Sequence, residues 1–158
     1  MSEKIKVGVV GLGRGTAIAV NLFALPNVEL LAVCDHNPKI LASGYKELSE
    51  TGNCTPMQFS DYDEMLKTDI DAVIVATEAI YHVPIVVRAL DAGKPVLSEI
   101  PSVNSVEEAR ILKAAVKAHP DLIYMAAENC CFWAFIETWK KMREDGLFGD
   151  VVYAEAEY

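Results

Sequence analysis

A doubly wound α/β domain with a parallel sheet is the fold this sequence predicts, and three observations carry it. Short runs rich in apolar and β-branched residues recur at 5–10, 28–34, 57–59, 71–76, 96–98 and 122–126. Most are apolar without alternation, as strands covered on both faces are. The stretches between them carry apolar residues at helical spacing, so strand and helix alternate with right-handed crossovers. A glycine-rich turn, Gly11-Leu12-Gly13-Arg14-Gly15-Thr16, directly follows the first run.

Strand, glycine turn and helix in that order form the setting a dinucleotide-binding fingerprint needs. The first glycine permits the tight turn, the second admits a pyrophosphate, and the following helix start offers free N–H groups. Thr16 stands where the third glycine or alanine, the one that serves close helix–strand packing, would be. Its hydroxyl is expected to meet a phosphate or cap the helix.

The first helix runs from Thr16 and ends before a turn at Pro26-Asn27. The second strand ends at Asp35, about 20 residues beyond Gly13, the distance at which an acid grips an adenosine ribose. A carboxylate there accepts both ribose hydroxyls and repels a 2′-phosphate, which favours NAD over NADP. Pro38 starts a helix over 38–49. Asp61 and Glu64 have the spacing of a capping box, as do Ser105 and Glu108. The fourth strand ends at Ala76, Thr77 and Glu78. His82, Ile85, Val86, Ala89 and Leu90 share one helix face, and Gly93-Lys94-Pro95 stops that helix. The fifth strand ends in Glu99-Ile100-Pro101. Val106, Ala109, Leu112 and Val116 are expected to face inward from the next helix. After the sixth strand, Asn129-Cys130-Cys131 forms a buried turn. A helix follows with Phe132, Phe135, Ile136 and Trp139 on one face, ended by Gly146. Residues 151–158 alternate in and out, as a strand of a half-exposed sheet does. The expected organisation is a nucleotide-binding domain over 1–150 and, at 151–158, the first strand of a second domain that is cut short.

Composition narrows the function. A hydrophobic content of 52% with 23% charged residues excludes a disordered chain. The formal net charge of −9 argues against a nucleic-acid surface. No apolar run is long enough to span a membrane, and the N-terminus enters a strand with no signal-peptide layout. The four cysteines, Cys34, Cys54, Cys130 and Cys131, form no C-x-x-C pair, which places the chain in a reducing, cytoplasmic setting. His36, His82 and His119 are scattered, and no metal constellation is expected.

The chain resembles the Gfo/Idh/MocA family of glucose–fructose oxidoreductase and inositol dehydrogenase relatives over its whole length. The carriers are the turn from Gly11, Val33-Cys34-Asp35, and 71–77 followed by His82 and Pro84. Further carriers are 92–97 with Glu99 and Pro101, and 146–151. The resemblance implies a Rossmann NAD-binding domain and NAD as cofactor. It implies hydride transfer from a sugar or polyol hydroxyl, and a full-length homo-oligomer assembled through a second α/β domain. The 158-residue chain alone is then expected to bind without turnover. The family's Glu-Lys-Pro is Glu99-Ile100-Pro101 here, and isoleucine moves no proton. Glu99-Ile100-Pro101 together with Glu128-Asn129-Cys130-Cys131-Phe132 resembles a branch with NAD-dependent glycosidases, which oxidise a sugar transiently, eliminate and return the hydride. A non-catalytic nucleotide-binding regulator is the third alternative. The residues expected at the cofactor are Gly11, Leu12, Gly13, Arg14, Gly15, Thr16, Asp35, His36, Ala76, Thr77, Glu78, His82, Glu99 and Asn129, with Glu99 and His82 as the catalytic candidates.

Overall fold

Val7, Val9 and Val10 of β1 (Ile5–Val10) are all buried, which is why this run is apolar without alternation. The structure is a computed structural model and describes residues 4–155 and 157. β1 pairs with β2 (Val28–Cys34) on one side and β4 (Ala72–Val75) on the other. β3 (Met57–Phe59) extends the first side, and β5 (Val96–Ser98) then β6 (Tyr124–Ala126) extend the second. Every pairing is parallel, in the order β3-β2-β1-β4-β5-β6. The order reverses between β1 and β4, and ligands of such sheets bind beyond the strand ends at that point.

The two sheet faces carry separate cores. Val9, Val33 and Ile74 pack with Leu12, Ala19 and Leu48, the last three supplied by the glycine turn, α1 (Gly15–Val20) and α2 (Pro38–Gly52). Val10, Ala32, Val73 and Val75 pack with Met65, Val86, Leu90 and Leu112. These come from α3 (Tyr62–Leu66), α4 (His82–Asp91) and α5 (Val106–Ala118). Each fully buried aliphatic side chain contributes about 1.5–3 kcal/mol, against about 1 kcal/mol for a helix cap, so the two layers dominate the stability.

Several local expectations change. α1 is only one and a half turns and passes into a tight 3-10 turn, Asn21–Ala24. α2 runs on to Gly52 and ends at Asn53, whose φ of 46° is left-handed. Asp61 caps α3 through the Asp63 N–H, while Glu64 bonds Lys67, so the reciprocal capping box does not form. Ser105 does accept the Glu108 N–H, but the Glu108 carboxylate takes the Asn104 N–H. Val106 and Ala109 are exposed: Leu112 is the buried residue of α5, with Ala115 and Val116 half-buried beside it.

The Thr16 expectation is overturned. Its side chain is buried and its hydroxyl donates to the Leu12 carbonyl at 2.6 Å, so it meets neither a phosphate nor a free helix N–H. The close approach of α1 to the sheet falls to Gly15, where a Cβ would lie 3.0 Å from Val9 and 3.3 Å from Ala76. Thr16 faces α2, where a Cβ on Gly44 would lie 2.8 Å from Thr16 Oγ1 and 2.9 Å from Leu12 Cβ. Neither neighbour is the free end of a flexible side chain. Gly44→Ala is expected to lower stability by about 1–3 kcal/mol. A fall in denaturation midpoint at constant slope would record this; an unchanged midpoint would show that the two helices can part without cost.

The chain divides into two compact units, Met1–Ala127 and Glu128–Tyr158. The second unit holds a 3-10 turn, Asn129–Phe132, and α6 (Ala134–Glu144), followed by Gly146 at a φ of 73°. Phe132, Phe135 and Trp139 are exposed, and Phe135 lies tilted against Trp133 and edge-to-face with Trp139 at centroid distances of 5.5 and 5.1 Å. Cys130 and Cys131 are half-buried rather than enclosed. Residues 151–155 take no regular structure; Ala156 and Tyr158 of the expected last strand lie outside the described residues.

Candidate functional site

At the β1/β4 reversal a cavity of about 620 Å³ opens beyond the strand ends. Gly11, Gly13, Arg14, Asp35, His36, Ala76, Thr77 and Glu78 line it, eight of the residues expected at the cofactor. The two glycines serve different needs. Gly11 has a φ of 85°, and a Cβ there would lie 2.6 Å from the backbone of Ala76 and Thr77. It lets the turn press against the end of β4. Gly13 has nothing within 4 Å of where a Cβ would be, so its backbone faces open space.

Asp35 fastens the turn to β2. Its Oδ2 accepts the Leu12 N–H at 2.8 Å and its Oδ1 accepts the Asn37 N–H at 2.8 Å. The carboxylate is 6% exposed yet borders the cavity, and His36 Nδ1 stands 3.8 Å from Oδ1. A carboxylate has about four acceptor positions, so two remain for ligand hydroxyls. The expected cofactor contact of Leu12 gives way to a structural one: its N–H is spent on Asp35 and its side chain is core.

His82 is 1% exposed, with Nδ1 2.9 Å from the Pro101 carbonyl and Nε2 3.0 Å from the Thr77 carbonyl. Both ring nitrogens face backbone oxygens, and neither is left for a substrate or cofactor. The expected catalytic and cofactor contacts of His82 give way to a brace between the loops that follow β4 and β5.

Glu99 closes β5. Its Oε1 accepts from Arg14 Nε at 2.9 Å and its Oε2 from the Ile100 N–H at 2.8 Å. The Ile100 side chain is exposed and supplies no polar group. Asn129 belongs to the second unit, where it starts the 3-10 turn. In that turn the hydrogen-bonded Glu128 carboxylate pushes the Cys130 thiol pKa up, as does desolvation, which opposes a nucleophilic role.

The far end of the cavity was not legible as a site. Ile40, Ser60, Asp61, Tyr62, Tyr81, Pro84, Ile85 and Arg88 complete the wall. The guanidinium of Arg88 lies 5.1 Å from the Tyr62 ring centroid and pairs with Asp63. Cys34 also borders this end; burial, then the charges of Asp35 and Asp61, push its thiol up to about 12 and keep it neutral. A useful sequence signal was position alone: Ser60 and Asp61 follow β3, a parallel strand ending on the same edge. Among the described residues no group of three His, Cys, Asp or Glu could hold a metal, and no helix is long and apolar enough to cross a membrane.

The family model "Oxidoreductase family, NAD-binding Rossmann fold" matches residues 5–127. Glycosyl hydrolase family 109 protein 4 of Phocaeicola vulgatus is 32% identical over 99% of this chain and 31% of its own length. The alpha-N-acetylgalactosaminidase of Bacteroides fragilis is 29% identical over 98% of this chain and 37% of its own. The chain thus spans about a third of the length of these curated relatives. Among solved structures, scyllo-inositol dehydrogenase from Lactobacillus casei with bound NAD(H) and scyllo-inositol superposes with a TM-score of 0.82. It is 29% identical, with 94% of this chain and 43% of that one covered. The WlbA dehydrogenase from Bordetella pertussis, in complex with NADH and UDP-GlcNAcA, is 27% identical at a TM-score of 0.82, over 93% of this chain and 44% of that one. The match runs through the parallel sheet, the glycine turn and the strand-end carboxylate, and the chain belongs to the Gfo/Idh/MocA oxidoreductase family and carries its NAD-binding Rossmann domain.

Proposed function

We propose that this chain is the NAD-binding part of an oxidoreductase that takes a hydride from a sugar or polyol carbon. The observation that carries the reading is one cavity bordered by both the open Gly13 backbone and the Asp35 carboxylate. Gly13 admits a pyrophosphate, and Asp35 offers its remaining lone pairs to a ribose diol. NAD, when bound, supplies the hydride acceptor. The hydroxyl proton needs a base of the protein. Of the two catalytic candidates, His82 has both ring nitrogens against backbone carbonyls, which leaves the Glu99 carboxylate at the end of β5.

Calorimetric titration tests the cofactor reading on this chain. NAD is expected to bind at least about tenfold more tightly than NADP, because the 2′-phosphate would meet an anion whose N–H partners are already fixed. Equal or tighter binding of NADP would refute the role of Asp35, and no binding of either would refute the cofactor site.

A second reading is favoured by the curated relatives, which include an alpha-N-acetylgalactosaminidase. In it the complete gene product cleaves a glycosidic bond by transient oxidation of the sugar. The two readings separate on stoichiometry: a dehydrogenase yields one NADH per substrate, whereas the glycosidase releases sugar with no net NADH.

A further inference from the structure

Arg14 sits at the mouth of the cavity with its side chain 68% exposed, while its partner Glu99 is only 13% exposed. The contact uses one of the five guanidinium N–H groups, the one on Nε. Among the described residues the terminal nitrogens of Arg14 make no other hydrogen bond. The next residue along the turn on its other side is Gly13, whose backbone faces open space. Glu99 is itself pinned on its second oxygen by the Ile100 N–H. One side chain therefore joins the open side of the glycine turn to the carboxylate at the end of β5.

We propose that Arg14 is a positioning residue that works in two directions: Nε holds the Glu99 carboxylate, and the free terminal N–H groups receive the pyrophosphate of the dinucleotide. Filling the phosphate site then fixes Arg14, and through it the orientation of Glu99. The guanidinium is suited to this because it is planar and can bond along two edges at once, which a lysine ammonium on a flexible stem cannot do with the same geometry. The inference rests on the dinucleotide reading above. It assigns Glu99 an orientation set by cofactor occupancy, and it makes the glycine turn and the β5 end one functional unit.

Three ligands and a double-mutant cycle on this chain test it. NAD and ADP-ribose carry the pyrophosphate; adenosine carries neither phosphate. Arg14→Ala is expected to weaken NAD and ADP-ribose about tenfold, the range of one charge-assisted hydrogen bond, and to change adenosine binding by less than about twofold. Arg14→Lys restores part of the ADP-ribose affinity. In a Glu99→Gln background the effect of Arg14→Ala shrinks to about threefold, since the orphaned carboxylate beside the phosphates is gone. The thermal midpoint of Arg14→Lys stays close to that of the parent, because the exposed side chain keeps its charge beside the largely enclosed Glu99. Equal loss of adenosine and ADP-ribose, or strictly additive effects of the two substitutions, would overturn the proposal while leaving the dinucleotide reading intact. Failure of the parent chain to bind all three ligands would overturn both.

Discussion

Asp35→Ala is expected to lose fold stability and dinucleotide affinity together. The carboxylate accepts the N–H groups of Leu12 and Asn37, and the Leu12 site is buried. Removing it leaves those donors without partners at a cost of about 1–3 kcal/mol. That corresponds to a thermal midpoint roughly 3–10 °C lower. NAD affinity should fall at least about tenfold beyond what unfolding explains, and the preference over NADP should narrow. Asp35→Asn separates the two effects. It keeps the size and one acceptor, so much of the stability returns, but it removes the charge that repels a 2′-phosphate. If Asp35→Asn retained the full preference for NAD, the discrimination would have to come from another group at the end of β2.

Gly11→Ala is expected to be the most damaging single-atom change in the glycine turn. A φ of 85° costs a non-glycine residue about 1–2 kcal/mol. The new Cβ would also lie 2.6 Å from backbone atoms of Ala76 and Thr77, and the Ala76 N–H is held by the Val10 carbonyl at 2.8 Å. With overpacking of about 1–3 kcal/mol added, the loss is about 2–5 kcal/mol, measured by chemical denaturation. Gly13→Ala is the contrast. Nothing stands near its Cβ, and its φ is not left-handed, so stability should hold within about 0.5 kcal/mol while NAD affinity falls. Equal destabilisation by both changes would show that Gly13 serves the fold and not a ligand.

The frame of this fold was legible because it rests on uninterrupted apolar runs. β1, β2, β3 and β5 fall where the runs at 5–10, 28–34, 57–59 and 96–98 stand, and Asp35 ends its strand beside the glycine turn. What escaped was the use made of individual polar atoms. Thr16 has a side chain suited to a cap or a phosphate, and only the fold shows its hydroxyl spent on the Leu12 carbonyl. His82 shares a face with Val86 and Ala89, and periodicity cannot tell a packed ring from a reactive one; the carbonyls that engage it come from Thr77 and Pro101, on two different loops. The far wall of the cavity, with Tyr62 and Arg88, is assembled from α3 and α4, and no local spacing joins those residues to Gly11. Sequence order also misjudged α5, where Val106 starts the helix at the surface and Leu112 alone is fully enclosed.

Thr16 and Gly44 carry one more consequence. Two helices can be brought close by carving space from either wall, and here the hollow is cut in α2 while α1 keeps its hydroxyl. A smaller residue at position 16 would accordingly open a gap where one at 44 already serves. Thr16→Gly alone should loosen the seam, whereas Thr16→Gly paired with Gly44→Ala exchanges protrusion and recess between the two walls. The approach of α1 to the sheet is thus met by Gly15, and the room beside Thr16 is made by a glycine of the other helix.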